Sequence, residues 1–140
     1  MAGNLTLAIV KPDAYAAGKA GLIIAHLEKE GFKVLAAQVK HLTKAEAGAF
    51  YEVHAARPFY GELVEFMTSG PCVPLVLKRA DAVATLRTVI GATDPAEAAP
   101  GTIRKLYAES KGKNAIHASD SDENAARETR FFFAETQFLG

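Results

Sequence analysis

Apolar positions along the chain fall into short continuous runs and helix-spaced stripes, and the changes between them mark the elements. Leu5 to Val10 (LTLAIV) is a short apolar run ended by Lys11-Pro12-Asp13, which predicts a buried strand running into a turn. From Gly21 to Glu30, apolar positions 22, 23, 24 and 27 precede Glu28, Lys29 and Glu30, with Gly31 as a stop, which predicts a helix. Val34 to Leu42 (VLAAQVKHL) is aliphatic and alternates in its second half, the pattern of a strand. Thr43 with Glu46 makes a capping box that opens a helix through about Val53. Arg57-Pro58 breaks it, and Tyr60 to Met67 reads as a short helix before Ser69-Gly70-Pro71.

Val73 to Leu77 predicts a strand, and Asp81 caps a helix through Ile90 with positions 82, 83, 86, 89 and 90 on one apolar face. Residues 91–114 are irregular, punctuated by Gly91, Pro95, Pro100, Gly101 and Gly112, with one helical patch from Ile103 to Ala108. A long irregular segment in a compact domain is more often functional than idle. Ala115-Ile116-His117 predicts a short strand. Ser119-Asp120-Ser121-Asp122-Glu123 then signals the start of a last helix to about Phe133, with Ala125, Thr129, Phe132 and Phe133 facing inward.

With residues 43–68 set aside as an insertion, the order is strand, helix, strand, strand, helix, strand and a closing helix. That is the βαββαβ pattern of a ferredoxin-like α+β sandwich. The expected architecture is an antiparallel four-stranded sheet with helices on its surface and a long loop before His117. No repeat, low-complexity tract or linker divides the chain, so residues 1–140 are expected to form a single domain.

Composition narrows the class. Hydrophobic residues at 49% and charged residues at 23% exclude a disordered chain. Sixteen basic against sixteen acidic groups exclude a strongly basic nucleic-acid binder, and no motif for sequence-specific nucleic-acid recognition is present. A lone Cys72 excludes an internal disulfide and a cysteine-based zinc cluster and fits a reducing compartment. No apolar stretch is long enough for a membrane span, and the N-terminus lacks the basic region of a secretory signal. The expectation is a cytoplasmic protein with no membrane partner.

The candidate chemistry centres on histidine. His26 lies in an amphipathic helix and His41 near a strand end, both structural or surface positions, while His54 beside Arg57 is ambiguous. His117 stands where a strand meets a helix N-terminus, a junction whose backbone N–H groups favour anions. A free imidazole is largely neutral near pH 7 and can attack phosphorus or shuttle protons. Spacing alone leaves two readings open, a nucleophile or a histidine that merely packs at a helix start. The chain has no P-loop and no Rossmann glycine fingerprint, so a nucleotide would be held by scattered cations. Lys11, Arg87 and Arg104 are candidates, although each alone reads as a solvated charge.

Six stretches, in order, resemble nucleoside diphosphate kinases over essentially the whole chain. They are Leu7 to Asp13 (LAIVKPD), Arg57 to Tyr60 (RPFY), Ser69 to Pro71, Gly91 to Pro95 (GATDP), Pro100 to Arg104 (PGTIR) and Asn114 to Ser121 (NAIHASDS). The resemblance implies transfer of the γ-phosphoryl group of a nucleoside triphosphate to a nucleoside diphosphate, ping-pong, through a phosphohistidine at His117. It implies that Glu128 fixes the imidazole tautomer, that Ser119 supports Glu128, and that Tyr51 lies against the ring and the transferring phosphate. Ser121 and Glu128 are two helical turns apart, which puts them on one face.

By the same resemblance, Lys11, Arg87, Thr93 and Arg104 bind phosphate oxygens, and Lys11 and Asn114 reach the ribose hydroxyls. Phe59 stacks on the base with Leu63 one turn on, a contact that reads no hydrogen-bond code and suits broad base specificity; without the resemblance Phe59 reads as a core aromatic. Mg2+ is implied as a cofactor held by nucleotide phosphates and water, with no ligand directly from the protein. A tetrameric or hexameric homo-oligomer is implied too, and the short end after the last helix points to a bacterial-type member. Two positions depart from the family pattern. Ala118 stands where glycine is usual, and Lys111 stands where an apolar residue usually meets the base edge. The competing reading is a nucleotide-binding regulatory or scaffold protein of the same fold without turnover.

Overall fold

The computed structural model describes residues 3–139. Its sheet has four strands, β1 (Leu5–Val10), β2 (Lys33–Ala37), β3 (Val73–Lys78) and β4 (Ile116–Ala118), in the order β2-β3-β1-β4 with every pairing antiparallel. The helices are α1 (Pro12–Ala16), α2 (Ala20–Lys29), α3 (Lys44–Phe50), α4 (Tyr60–Met67), α5 (Ala82–Ile90), α6 (Ile103–Tyr107) and α7 (Asp122–Phe132). This is the expected ferredoxin-like sandwich, with α3 and α4 as the insertion.

The apolar run of β1 follows from burial on both faces. Side chains alternate along a strand, so Ala8 and Val10 face one layer while Leu7 and Ile9 face the other. The first layer joins them to Leu75, Leu77 and Ile116, packed against Ile23 and Leu27 of α2 and Leu86 and Ile90 of α5. The second layer joins Leu7, Ile9 and Val76 to Phe50, Tyr51, Met67 and Phe133. Because β4 alternates too, Ile116 and Ala118 enter the first layer and His117 turns toward the second.

Several elements differ from the pattern reading. Lys11-Pro12-Asp13 starts α1 rather than a plain turn, because Pro12 at the first helical positions needs no N–H partner. The second strand ends at Ala37 instead of Leu42. Gln38 N still donates to the Pro74 carbonyl at 3.3 Å, but Pro74 has no N–H to return, so the ladder lapses until the isolated Lys40–Cys72 bridge. The helix from Thr43 stops at Phe50, with a 3-10 turn at Glu52–His54; its capping box is present, with Glu46 N donating to Thr43 Oγ1 at 3.1 Å and Thr43 N to Glu46 Oε1 at 2.9 Å. Asp81 precedes α5 but makes no capping bond, because it adopts a left-handed conformation (φ 53°) that Asp tolerates. The last strand is shifted by one residue, and a further 3-10 turn, Glu135–Gln137, follows α7. Cys72 is buried, its Sγ donating to the Lys40 carbonyl and its thiol pushed up to about 11 by that burial, which makes it a structural residue.

Candidate functional site

Ser121 begins α7 by accepting from Asn124 N at 3.1 Å, and this start sets the phase that turns Glu128 inward, where it is 8% exposed. One oxygen of Glu128, Oε1, lies 2.8 Å from His117 Nε2 and accepts from Ser119 Oγ at 2.8 Å. A carboxylate can only accept, so Nε2 carries the ring proton and Nδ1 keeps its lone pair. Nδ1 makes no hydrogen bond among the described residues. The ring is walled by Phe50 and Tyr51, both edge-on, with centroids 5.4 and 5.9 Å away. The Tyr51 hydroxyl is buried without a partner among the described residues, and burial raises its pKa well beyond the ordinary range. The hydroxyl therefore stays protonated and able to donate.

The cations gather on the other side of β4. This strand is at the sheet edge, and its outward carbonyls are taken by guanidinium groups: Ile116 O by Arg104 at 2.8 Å and Ala118 O by Arg87 at 3.4 Å. Arg104 also donates to Gly91 O at 3.1 Å, while its Nε is buried with no partner among the described residues. Burial first, and Arg87 second, lower the Arg104 pKa to about 10. Lys11 extends the β1–β4 ladder, Lys11 N donating to Ala115 O at 2.9 Å, and its ammonium donates to Asn114 Oδ1 at 2.9 Å. Its pKa falls to about 8, through burial first and Arg104 second, with Asp13 opposing them. Arg104 disfavours the charge on Lys11 and Arg87 that on Arg104, an arrangement that an anion would relieve.

Gly91 makes this arrangement possible. At φ 87° and ψ −177° it occupies a region essentially closed to other residues, and a Cβ there would lie 2.6 Å from Thr102 Oγ1. Gly91→Ala is expected to cost about 1–3 kcal/mol of stability and to release the carbonyl from Arg104. Thermal or urea unfolding checks this; an unchanged midpoint would contradict it.

A cleft of about 670 Å³ is lined by Lys11, Phe59, Leu63, Thr93 and Asn114, together with Glu62, Phe66 and the loop Lys111–Lys113. The structure therefore brings together all of the predicted base-and-ribose residues and Thr93. Phe59 is 46% exposed with its ring against His54 at 5.5 Å, so it is a platform at the cleft rather than a core aromatic. Arg87 and Arg104 are not among the lining residues; they flank β4, Arg87 beside a shallower hollow with Asp120 and Ser121. Ala118 is buried in the first core layer and is not among the non-glycine residues of positive φ, so alanine is accommodated there without backbone strain. Lys111 does lie in the cleft wall, exposed, where its stem can pack and its ammonium reach water.

Sequence reasoning missed Asp13 and Phe50. Asp13 Oδ2 accepts from Ala115 N at 3.1 Å and so holds Ala115 at φ 73°, just before the strand of His117. Its place in Lys-Pro-Asp was the only available signal, because its partner is distant in the chain. Among the described residues no group of three or more His, Cys, Asp or Glu could hold a metal ion, and the cleft lining is mainly basic and apolar.

The sequence profile described as nucleoside diphosphate kinase matches residues 4–138. The chain is 62% identical over 134 residues to nucleoside diphosphate kinase of Chlorobium chlorochromatii, covering 96% of each chain. It is 61% identical over 134 residues to that of Chlorobium luteolum, again covering 96% of each. The solved structure of Aquifex aeolicus nucleoside diphosphate kinase superposes with a TM-score of 0.95 at 47% identity, covering 97% of this chain and 99% of that one.

Proposed function

The chain belongs to the nucleoside diphosphate kinase family, and on that premise we propose that His117 Nδ1 is the atom that carries the phosphoryl group in transit. The reaction moves the γ-phosphoryl group of a nucleoside triphosphate to a nucleoside diphosphate, ping-pong, through a phosphohistidine, and uses a divalent cation. In the first half, the Nδ1 lone pair bonds to the γ-phosphorus as the bond to the β-phosphate bridging oxygen breaks, and the diphosphate leaves. The second half reverses these events on a different diphosphate. Proton movement is not required, because Nε2 keeps its proton throughout and donates it to Glu128.

The observation that carries this reading is the Nε2–Glu128 contact of 2.8 Å, which leaves Nδ1 as the available nitrogen on a strand flanked by Lys11, Arg87 and Arg104. Ser119 shares the carboxylate and fixes its rotamer. Tyr51 offers its unpartnered hydroxyl to the phosphate in flight. Lys11, Arg87, Thr93 and Arg104 take the phosphate oxygens, Lys11 and Asn114 the ribose, and Phe59 with Leu63 the base. Such alignment and charge cancellation are most of what phosphoryl transfer asks of a protein. The divalent cation is Mg2+, entering as the Mg·nucleotide substrate.

Isotope exchange between ATP and ADP with no second nucleotide tests the covalent route. Exchange is expected; its absence would favour a nucleotide-binding scaffold without turnover. Glu128→Gln is expected to lower kcat by about tenfold with KM nearly unchanged, the low end of the 10–100-fold that a carboxylate orienting a metal-bound histidine is worth. A change confined to KM would contradict the orienting role.

Lys11 gives the site a pH signature. Its pKa of about 8 in the free protein means that the charge on its ammonium fades as pH rises through that value. An anionic ligand favours the charged form and raises the pKa, so binding above pH 8 must draw in a proton and weaken with pH. At pH 8.5 the uptake is expected to be roughly three-quarters of a proton, measured by calorimetry in buffers of different ionisation enthalpy. No uptake would contradict Lys11 as a ligand to the nucleotide.

The homo-oligomer, tetramer or hexamer, belongs to the same proposal. Its support is the half-exposed edge strand β2 and the exposed Leu22 and Val39; light scattering reads the mass directly. A cytoplasmic location, where nucleotide substrates are at hand, belongs to the same proposal; among the described residues no helix is long and apolar enough to cross a membrane.

A further inference from the structure

We propose that Arg127 is a positioning residue that holds both walls of the His117 imidazole, an inference resting on His117 as the phosphoryl carrier. The C-terminal carbonyls of a helix lack partners within it, and α3 ends beside the site. Ala47 O accepts from Tyr51 N at 3.0 Å and Gly48 O from Tyr60 Oη at 3.0 Å. The remaining two go to one side chain: Arg127 donates to Ala49 O at 2.8 Å and to Phe50 O at 3.1 Å. Its guanidinium also lies over the rings of Phe50 and Phe131, 5.9 Å from each centroid. A planar fork can satisfy two carbonyls while stacking on a ring; an ammonium cannot do all three.

What is held is the pair that faces the nucleophile. Phe50 is the last residue of α3 and Tyr51 the next, and their edges meet the imidazole. Arg127 precedes Glu128 on α7. Successive helix positions point about 100° apart, so Arg127 reaches α3 while Glu128 reaches His117 Nε2. One turn of α7 thus sets the ring's hydrogen bond and, through α3, its walls. The Glu128 bond alone fixes one nitrogen and leaves the ring free to tilt about that contact. The walls remove this freedom and keep Nδ1 aimed, and small misplacement of a reacting atom costs rate steeply.

Arg127→Met keeps an apolar stem against Phe50 and deletes both donors. The expected result is a fall in kcat of about tenfold, KM for nucleotide within about twofold of the parent, and displaced, broadened His117 ring resonances as the ring currents of Phe50 and Tyr51 move away. Arg127→Lys should recover part of kcat and part of the resonance positions. Arg127 is exposed, so both variants are expected to fold, with thermal unfolding recorded beside the kinetics. Unchanged kcat, or reduced kcat with unmoved ring resonances in both variants, would overturn the proposal. In either case the variants would still take up a phosphoryl label at His117; failure of the unsubstituted protein to do so would sink the underlying reading instead.

Discussion

His117→Ala is expected to fold and to transfer no phosphoryl group, with kcat/KM in an ATP-to-GDP assay reduced by at least ~10⁴-fold. The size follows from the route. A phosphohistidine mechanism splits the reaction at the nucleophile, and no neighbour can replace it. Ser119 Oγ already donates to Glu128, and the Tyr51 hydroxyl is held neutral by burial. Folding survives because His117 sits at a strand edge with its ring partly exposed, while Ile116 and Ala118 keep the strand anchored in the opposite core layer. Circular dichroism and thermal unfolding separate this outcome from misfolding. Activity within tenfold of the parent would mean that another group carries the phosphoryl.

Lys11→Met is expected to separate activity from stability in opposite directions. Lys11 is 8% exposed, and its pKa falls from 10.5 to about 8, through burial first and Arg104 second. In the free protein that charge is costly, so an apolar side chain of similar length should leave the unfolding midpoint equal or higher. In the transition state proposed for this site, the same charge meets the phosphate oxygens, and deleting one such donor costs roughly 10²–10³-fold in rate. The paired measurement is kcat/KM beside thermal unfolding. Near-parental activity, or a marked loss of stability, would contradict the assignment.

The contrast between these two sites explains what the chain's pattern could disclose. The run from Leu5 to Val10 needs burial on both faces and is therefore apolar throughout, so β1 was legible. The capping box at Thr43 and the dense start before α7 depend on neighbours in sequence and were legible too. The early end of β2 was not, because it depends on Pro74 in a different strand. Nor was the left-handed Asp81, whose residue type suggests a cap. Within the site, Phe59 in isolation reads as core, and only the cleft geometry exposes it. Arg87 and Arg104 look like solvated charges until β4 becomes an edge strand with carbonyls to cover. Asp13, Phe50 and Arg127 act on partners far along the chain, and no local spacing announces such contacts.

Net zero charge, with sixteen groups of each sign, also takes on a different meaning. Lys11, Arg87 and Arg104 come from separate segments, yet they converge around one strand, and each of the first and third is destabilised by a neighbouring cation. A neutral protein can thus concentrate positive charge around one strand beside the cleft without attracting polyanions broadly.

A phosphoryl group is proposed to rest on His117 between two nucleotides. Incubation with Mg·ATP labelled on the γ-phosphate, followed by peptide mapping under alkaline conditions, measures it most directly. The expected result is an acid-labile label on His117 alone, discharged by GDP or CDP and absent from His117→Ala. Label on another residue, or label that survives the substitution, would contradict it.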